Sequence, residues 1–208
     1  PWTVEGVMSP NILFSEPVPL LKDLAARYKG ANFLQCQAVR AYCKNVYVVR
    51  ANFDFTLTYD RETNWVTTSV ESQEFFNELV CVKTMPENPS IIRVTLPFKY
   101  LIYSFDDVEM ESVPPFLQEN KVPENFNLVP GGFNISKWIR PVECAGVMLD
   151  ETKPIKVKKG DAVLFLRFVP KDNVPIELER VVLTKEHHDM VQASVGVKFA
   201  IRYAPLSK

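Results

Sequence analysis

Short segments in which apolar and polar residues alternate recur along this chain, and their period of two constrains its fold most strongly. Residues 53–60 are the clearest case, because every odd-numbered position is apolar or aromatic and every even-numbered position is Asp or Thr. Side chains of a β-strand point alternately to its two faces, so this segment predicts a half-buried strand. Further strands are predicted at residues 46–50, 91–103, 108–113, 131–139, 142–149, 155–158, 162–169 and 195–203. With residues 53–60, these segments indicate roughly nine strands. Residues 65–69 are a candidate strand that would pair back on 53–60, and residues 176–183 alternate with charge.

Short helices are predicted between some of these strands. Residues 19–29 carry leucines at helical spacing, begin with a proline and are followed by Gly30. Those residue types suit the first turn and the left-handed end of a helix. Residues 36–44 predict a second short helix, and residues 184–191 a third with a threonine as its cap. Residues 72–79 fit a helix or a strand equally well.

The order of these elements predicts the fold class. No strand-helix-strand rhythm is present, so the sheets should be mainly antiparallel. The chain has 16 Pro and only 7 Gly, which favours stiff corners over glycine hairpins, and Pro97 predicts an edge or a bend within its strand. We expect a mainly β fold, an antiparallel β-sandwich of jelly-roll type with two or three short helices. It should form a single domain over residues 1–208, with an N-terminal arm at residues 1–16.

Charge and hydropathy argue against several classes of partner. The net charge is −1, so no general attraction to nucleic acid or to an anionic membrane is expected. No apolar run of about 18 residues is present, so we expect no membrane span. The start of the chain also lacks the basic-then-apolar pattern of a signal peptide. Lys156 and Lys158 alternate with apolar neighbours, which predicts an edge strand protected by lysines.

The four cysteines are predicted to be reduced thiols of an intracellularly assembled protein. Cys36, Cys43, Cys81 and Cys144 show no metal-binding or disulfide spacing. Apolar sequence neighbours at Cys36, Cys43 and Cys144 predict buried or half-buried thiols with a raised pKa. A catalytic thiol is therefore not expected.

Other enzymatic chemistry also finds little support. His187 and His188 are the only histidines, and neighbouring residues point apart, so we expect no metal site and at most one ring packed on a neighbour. Glycine-rich phosphate-binding loops are absent from the sequence, and we expect no cofactor. The one pairing that would favour an enzyme is Asp54 with Arg140 or Arg167.

The most distinctive segment contains Trp138 and Arg140. A tryptophan beside Arg-Pro fits a binding platform or an interface anchor, although such a ring also fits the core of a sandwich. In the N-terminal arm, Trp2, Pro10 and Phe14 are the further candidate interface residues. The arm is expected to lie on a neighbouring molecule.

Three pieces of the sequence together resemble a known family. They are Phe53-Asp54-Phe55-Thr56-Leu57, Trp138-Ile139-Arg140-Pro141, and the stretch from Ile155 to Phe165. Their order resembles an uncharacterised β-rich family of bacteria and tailed phages, over residues 36–170 at most. The resemblance implies a β-rich fold and a phage context, and it implies no activity.

A second resemblance concerns the turn Lys158-Lys159-Gly160-Asp161, which precedes an apolar strand. It looks like a hairpin of trimeric dUTPases. The serine-bearing phosphate motif and the tyrosine-bearing substrate hairpin of that family are missing, so no catalytic residue is assigned from it.

These observations lead to three functional hypotheses. The first is a structural component of a bacteriophage virion (capsid, neck or tail), assembled in the host cytoplasm as a homo-oligomer with other virion proteins. Residues 86–89 and 113–130 would be its contact loops, and neighbouring molecules would hold the two chain ends in place. The sequence starts at Pro1, a residue type expected after removal of an initiator Met. The alternative is a jelly-roll or dUTPase-like enzyme or small-ligand binder. The third is a binding protein for host takeover.

Overall fold

The computed structural model describes residues 2–4, 14–69, 81–85, 88–119, 121–172, 174–182 and 184–193. Its strands are β1 (Trp2–Val4), β2 (Val18–Pro19), β3 (Val46–Arg50), β4 (Phe55–Asp60), β5 (Trp65–Thr68), β6 (Cys81–Met85), β7 (Asn88–Ile102), β8 (Val108–Val113), β9 (Phe126–Leu128), β10 (Gly131–Asn134), β11 (Pro141–Met148), β12 (Ile155–Val157) and β13 (Ala162–Pro170). Its helices are α1 (Leu20–Arg27), a 3-10 helix (Asn32–Gln35), α2 (Gln37–Cys43) and α3 (residues 185–193).

The strands form three antiparallel sheets. Sheet I has the order β1-β7-β11-β9, with β6 also paired to β7, and sheet II has the order β10-β8-β13-β3-β2. Sheet III is smaller, with the order β12-β4-β5. From β7 to β11 the chain alternates between sheets I and II, as strands do in jelly-roll sandwiches. The predicted fold class, a mainly β antiparallel sandwich with a few short helices, is confirmed.

The main core lies between the sheets. Alternate residues of β7, from Ile92 to Ile102, are buried there and meet the inward residues of sheet II. Alternate side chains of a strand point to the same face, so the apolar positions of the period-two pattern are the ones that are buried. Sheet III adds Phe55, Leu57 and Ile155 to the same cluster.

Helices cover the outer faces of both large sheets. Leu20 and Leu24 of α1 lie one turn apart and pack on Val48 and Phe165 of sheet II. On sheet I, Leu101, Tyr103 and Ile139 pack against Met190 and Val191 of α3. Among the residues described, no helix has both the length and the hydropathy needed to cross a membrane.

Several predicted boundaries change. The helix predicted at 19–29 begins at Leu20 and ends at Arg27, and the one predicted at 36–44 is confirmed as α2. The strand predicted at 131–139 ends at Asn134, because the side chain of that residue bonds to Ser136 and turns the chain.

Residues 174–179 form no strand, although residues 176–183 alternate with charge. The side chain of Asn45 donates a hydrogen bond to the Val174 carbonyl at 2.9 Å and accepts one from the Ile176 amide at 3.0 Å. The Tyr47 hydroxyl donates to the Ile176 carbonyl at 2.8 Å. The Asn45 and Tyr47 side chains thus bond to the backbone groups of Val174 and Ile176 that would pair with a neighbouring strand in a sheet. Predictions for residues 72–79 and 195–203 fall outside the described residues.

Pro97 lies within the long central strand β7. Along one edge of β7, β6 pairs with residues up to Thr95 and β1 begins to pair at Tyr100, so Pro97 falls between these two partners. On the other edge it pairs with Glu143, where the register of β11 shifts. The predicted irregularity is therefore present, although the strand itself is not at the edge of the sheet.

The described parts of the expected N-terminal arm lie on this chain's own sheets. Residues 2–4 pair with Ile102 to Tyr100 of β7. Phe14 is 2% exposed and its ring lies 4.2 Å from that of Phe98. Residues 2–4 are thus paired and Phe14 is buried within the chain itself, and contact of the arm with a neighbour stays a prediction.

The two predicted contact loops also contain strands. Residues 88–89 belong to the start of β7, whereas 86–87 lie outside the described residues. The connection at 113–130 includes β9, which pairs with the end of β11.

Candidate functional site

A groove opens at one side of the sandwich, between sheets I and II. One wall is β10, the edge strand of sheet II, and the other is the first half of β11 in sheet I. The chain crosses between the sheets at residues 129–130 and again at 135–140, and these crossings frame the groove. Its volume is about 290 Å³.

The second crossing is a turn organised by Asn134. Its side-chain oxygen accepts hydrogen bonds from the Ser136 amide at 3.0 Å and the Ser136 hydroxyl at 2.6 Å. Its backbone carbonyl accepts a hydrogen bond from the Trp138 amide at 2.9 Å. Asparagine favours such turns because its side chain mimics a backbone group. The turn brings the Trp138 side chain back beside β10.

Asp107 supports this turn from the neighbouring loop. The Asn134 amide donates a hydrogen bond to its carboxylate at 2.6 Å, and the Lys137 ammonium lies 3.3 Å away. The hydrogen bond from Asn134, followed by that from Lys137, lowers the pKa of Asp107. The carboxylate is therefore held in its charged form at neutral pH.

Arg140 lies against two aromatic rings at the groove wall. Its guanidinium carbon is 5.1 Å from the Trp138 ring centre and 5.8 Å from that of Phe133. The two rings meet edge to face at 5.4 Å, and the guanidinium also pairs with Glu143 at 2.7 Å. A cation held over aromatic rings gains about 0.5–1 kcal/mol at exposed sites. These contacts fix a long side chain that would otherwise be mobile.

The β10 wall of the groove begins with two residues that have no side chain. Gly131 and Gly132 begin β10, and a Cβ at Gly131 would meet nothing within 4 Å. In the described part of the chain, β10 pairs only with β8, so its other edge offers unpaired backbone groups. Among the described residues, β9 pairs with β11 only from Gly146 onward, and the Val129 amide donates to the Ala145 carbonyl at 2.8 Å, so the part of that β11 edge before Ala145 has no strand partner there.

The structure places the five candidate interface residues in different environments. Trp138 and Arg140 are brought together, and the Arg140 side chain is 25% exposed. Trp138 is half-buried at the groove wall. Phe14 is corrected to a core residue because its ring is enclosed. The backbone of Trp2 pairs with β7, and Pro10 lies outside the described residues.

The acid–base pairing considered for an enzyme is not formed. The carboxylate of Asp54 accepts a hydrogen bond from the Lys159 backbone amide at 2.7 Å. Arg140 pairs instead with Glu143, and Arg167 pairs with Glu111 at 2.5 Å. Each arginine is thus paired with a carboxylate other than Asp54.

His187 packs on a neighbour, as predicted for one of the two histidines. Its ring centre lies 5.1 Å from that of Tyr103, and its Nε2 is 2.8 Å from the Tyr103 hydroxyl. The Thr184 amide donates to Nδ1 at 3.0 Å, so Nδ1 is a hydrogen-bond acceptor in this arrangement. Within the described residues, no group of three or more His, Cys, Asp or Glu is placed to hold a metal ion.

The thiols differ from the prediction at one position. Burial raises the pKa of Cys43 and, more strongly, that of Cys144. Cys36 is exposed, and hydrogen bonds from the Val39 and then the Ala38 backbone amides lower its pKa. The expectation for Cys36 was wrong because its place before α2 matters more than its apolar sequence neighbours. The side chain of Cys81 lies outside the described residues.

The lysine-rich turn forms a corner between two sheets. β12, before it, pairs with β4, whereas β13, after it, pairs with β3 and β8. Gly160 has φ +87°, a conformation that favours glycine. β12 ends the order of sheet III, with Ile155 and Val157 buried and Lys156 exposed. Its outer edge is bridged by Glu124, whose amide donates to the Lys156 carbonyl at 2.8 Å, so the predicted open edge protected by lysines is corrected at this position.

Sequence reasoning missed a buried carboxylate at this corner. Asp161 is 2% exposed, and its Oδ2 accepts a hydrogen bond from the Lys158 amide at 2.8 Å. Its Oδ1 has no hydrogen-bond partner among the described residues. Its place after a tight Lys-Gly turn was the available signal, since such a carboxylate often bonds to backbone amides of the turn.

The chain was compared with protein-family models, with curated proteins and with solved structures, and none of the three comparisons found a match.

Proposed function

We propose that this chain is a structural protein that acts by binding other proteins in an assembly. The groove of Phe133, Trp138, Arg140 and Glu143 carries this proposal. Tryptophan and arginine are the residue types that most often contribute large binding energies at protein interfaces. Their half-buried position at an open groove lets a partner side chain cover them.

The backbone beside the groove supports the same mode of binding. The edge of β10 that has no strand partner among the described residues can accept an extended segment as an added strand, and main-chain hydrogen bonds then supply affinity. Gly131 leaves this edge open to close approach. The turn at Asn134 and the strands on both sides hold the groove in one shape, which lowers the cost of binding.

The assembly that we propose is a bacteriophage particle, in which the chain would be a capsid, neck or tail component present in several copies. The phage context is supported by the resemblance of the three sequence motifs. The proposal does not require catalysis by the chain.

Mass spectrometry of purified phage particles tests the particle assignment. Particles are banded on a density gradient, and the chain is quantified against a known capsid protein of the same particle. We expect the ratio of this chain to the capsid protein to be constant across the band. Host cytoplasmic proteins should decrease relative to the capsid protein over the same fractions. Absence of the chain from infectious particles would overturn this assignment.

Substitutions in the groove test the binding mode. Trp138→Ala removes the aromatic wall, and Arg140→Lys keeps the charge but loses the planar stacking. We expect either change to weaken assembly about tenfold or more, as for a hot-spot residue. Arg61→Lys is the matched control, because Arg61 is also paired with a carboxylate, that of Glu151, but is far more exposed.

Assembly is measured by light scattering after size-exclusion chromatography, together with incorporation into particles. The melting temperature of each variant is recorded beside it. Unchanged assembly in both groove variants, with folding intact, would contradict a role for the groove.

A further inference from the structure

His187 lies at the junction between α3 and sheet I. Its Nε2 is 2.8 Å from the hydroxyl of Tyr103, which directly follows β7, and the two ring centres are 5.1 Å apart. Tyr103 is buried and packs in one cluster with Met190 and Val191 of the same helix. The contact between α3 and the sheet therefore includes one titratable ring among apolar side chains.

The same ring also caps the N-terminus of α3. Thr184 is the N-cap residue, since its carbonyl accepts a hydrogen bond from the His188 amide at 3.3 Å. Its own amide donates to Nδ1 of His187, three residues further on, at 3.0 Å. This is the arrangement of a capping box, in which Glu or Gln usually provides the acceptor at the third helical position. Histidine provides that acceptor only while its Nδ1 carries no proton.

Protonation of Nδ1 would remove this cap. The Thr184 hydroxyl, 2.7 Å from Nδ1, can turn so that it accepts a hydrogen bond from the protonated ring. The Thr184 backbone amide is only a donor, so it would face a second N–H group at 3.0 Å. A positive charge is also unfavourable in the first turn, where the helix dipole has its positive end. Both effects oppose the docked helical conformation that begins at Thr184.

Charged groups surround His187 on several elements. Burial, and then the carboxylates of Glu186 and Glu179, raise the pKa of Tyr103, so its hydroxyl stays neutral where histidine titrates. These two carboxylates favour the protonated ring, but both are exposed, which weakens their effect. Neither restores the acceptor that the Thr184 amide loses. The other charged or titratable side chains described on the surrounding elements are Lys185, His188 and Asp189 on α3, Glu177 and Arg180 before it, Asp106 and Asp107 after β7, and Lys137 and Arg140 in the crossing.

We propose that His187 is a pH-sensitive switch, whose protonation between about pH 7 and about pH 5 releases α3 from sheet I. Release uncovers Leu101, Tyr103 and Ile139, which are all buried while the helix is docked. Ile139 directly follows Trp138 in the crossing, so the uncovered apolar patch lies beside the groove wall. This conformational change goes beyond the proposed role in assembly and does not depend on it.

Hydrogen exchange of the α3 amides in the full chain tests the proposal. Protection factors, which correct for the intrinsic pH dependence of exchange, are measured for residues 188–193 at about pH 7.5 and about pH 5.5, both above the ordinary pKa of glutamate. We expect wild-type protection to fall about fivefold or more at the lower pH, as for the loss of a helix cap. Protection at Leu164 and Leu166 of β13 should stay unchanged. An equal loss in β13 would be global unfolding and would overturn the release of α3 alone.

Substitutions at the two adjacent histidines assign the response. His187→Gln keeps an acceptor at the third helical position but takes up no proton, so the protection of α3 should be equal at both pH values. His188→Gln is the matched control, since His188 is exposed and is the only other histidine, and it should keep the wild-type response. The ratio of protection at the two pH values is compared, so a uniform loss caused by the missing ring does not obscure the result. A response that persists in His187→Gln, or disappears in His188→Gln, would overturn the role of His187, as would equal wild-type protection at both pH values.

Proton NMR of the imidazole ring gives an independent measurement. In His188→Gln only the His187 ring remains, so its titration is observed without overlap. The fall in α3 protection should have the same midpoint as this titration. Different midpoints would show that another group controls the helix and would overturn the proposal.

Discussion

The guanidinium of Arg50, at the end of β3, donates hydrogen bonds to both carboxylate oxygens of Asp23 on α1, at 3.0 Å and 2.5 Å. It also donates to the Gly160 carbonyl at 2.8 Å and to the Gln118 side chain at 2.7 Å. The Arg50 and Asp23 side chains are only 12% and 14% exposed. One arginine thus joins a helix, a strand and the corner before β13.

Removing the charge of Asp23 should destabilise the fold. Asp23→Asn leaves the Arg50 guanidinium largely buried without its carboxylate, and we expect a loss of about 2–3 kcal/mol in the free energy of unfolding. Urea denaturation monitored by circular dichroism measures it. Arg27→Ala is the control, because Arg27 also contacts Asp23 but is 31% exposed, and its loss should cost below about 0.5 kcal/mol. Equal losses for the two variants would contradict this account.

Asn45 should control the order of the segment that follows β13. Asn45→Ala removes the hydrogen bonds to Val174 and Ile176. We expect a loss of about 1–2 kcal/mol and faster amide hydrogen exchange at residues 174–178. Asn127→Ala, at an exposed position on β9, should change neither quantity. Unaltered exchange at 174–178 in Asn45→Ala would show that other contacts hold the segment.

The cysteines should differ strongly in alkylation by iodoacetamide. Backbone hydrogen bonds lower the pKa of the exposed Cys36, and burial raises that of Cys43 and Cys144. In the folded protein Cys36 should react first, and the midpoint of its rate should lie below the ordinary pKa of a free thiol. Cys144 should react only after unfolding. Peptide mass spectrometry assigns each site, and labelling of Cys144 at the rate of Cys36 would contradict the buried position.

Asp150 should titrate at unusually low pH. Hydrogen bonds from Thr152 and then Lys153 lower the pKa of its carboxyl to about 2. A carboxyl with a depressed pKa stabilises the fold above its ordinary value of about 3.9, and this contribution is lost as the pH falls toward 2. Carbon NMR of the Asp150 carboxyl follows the titration.

The Thr152 hydroxyl provides the matched test of that pKa. Thr152→Ala removes the largest cause, so the midpoint of Asp150 should move back toward its ordinary value. Thr58→Ala, at an exposed position on β4, should leave it in place. An unmoved midpoint in Thr152→Ala would assign the depression to another group.

The elements with regular patterns could be predicted from sequence because their signals are local. Residues 53–60 alternate strictly, and β4 follows from that alternation at residues 55–60. The strand predicted at 131–139 was too long because the side chain of Asn134 bonds to Ser136. The apolar residues after that turn have the pattern of a strand. In the structure they belong to the crossing between the two sheets, and Ile139 packs against α3.

The groove could be predicted only in part. Trp138 and Arg140 are close in sequence and were recognised from their residue types, whereas Phe133 and Glu143 were not. Their contact depends on the turn that folds Trp138 back on β10, which a period-two pattern does not encode. The pairing of Asp54 with an arginine, which would have favoured an enzyme, is not formed because Arg140 and Arg167 each pair with another carboxylate in the folded chain.

The pairing of β3 with β13 has a consequence for synthesis of the chain. Val48 pairs with Phe165 and Leu164 with Val49, so sheet II stays incomplete until most of the chain has left the ribosome. Contacts so distant in sequence slow folding, because a long loop must close before they form. During translation β3 therefore presents an open edge, and this is the stage at which a holding chaperone would protect the chain most.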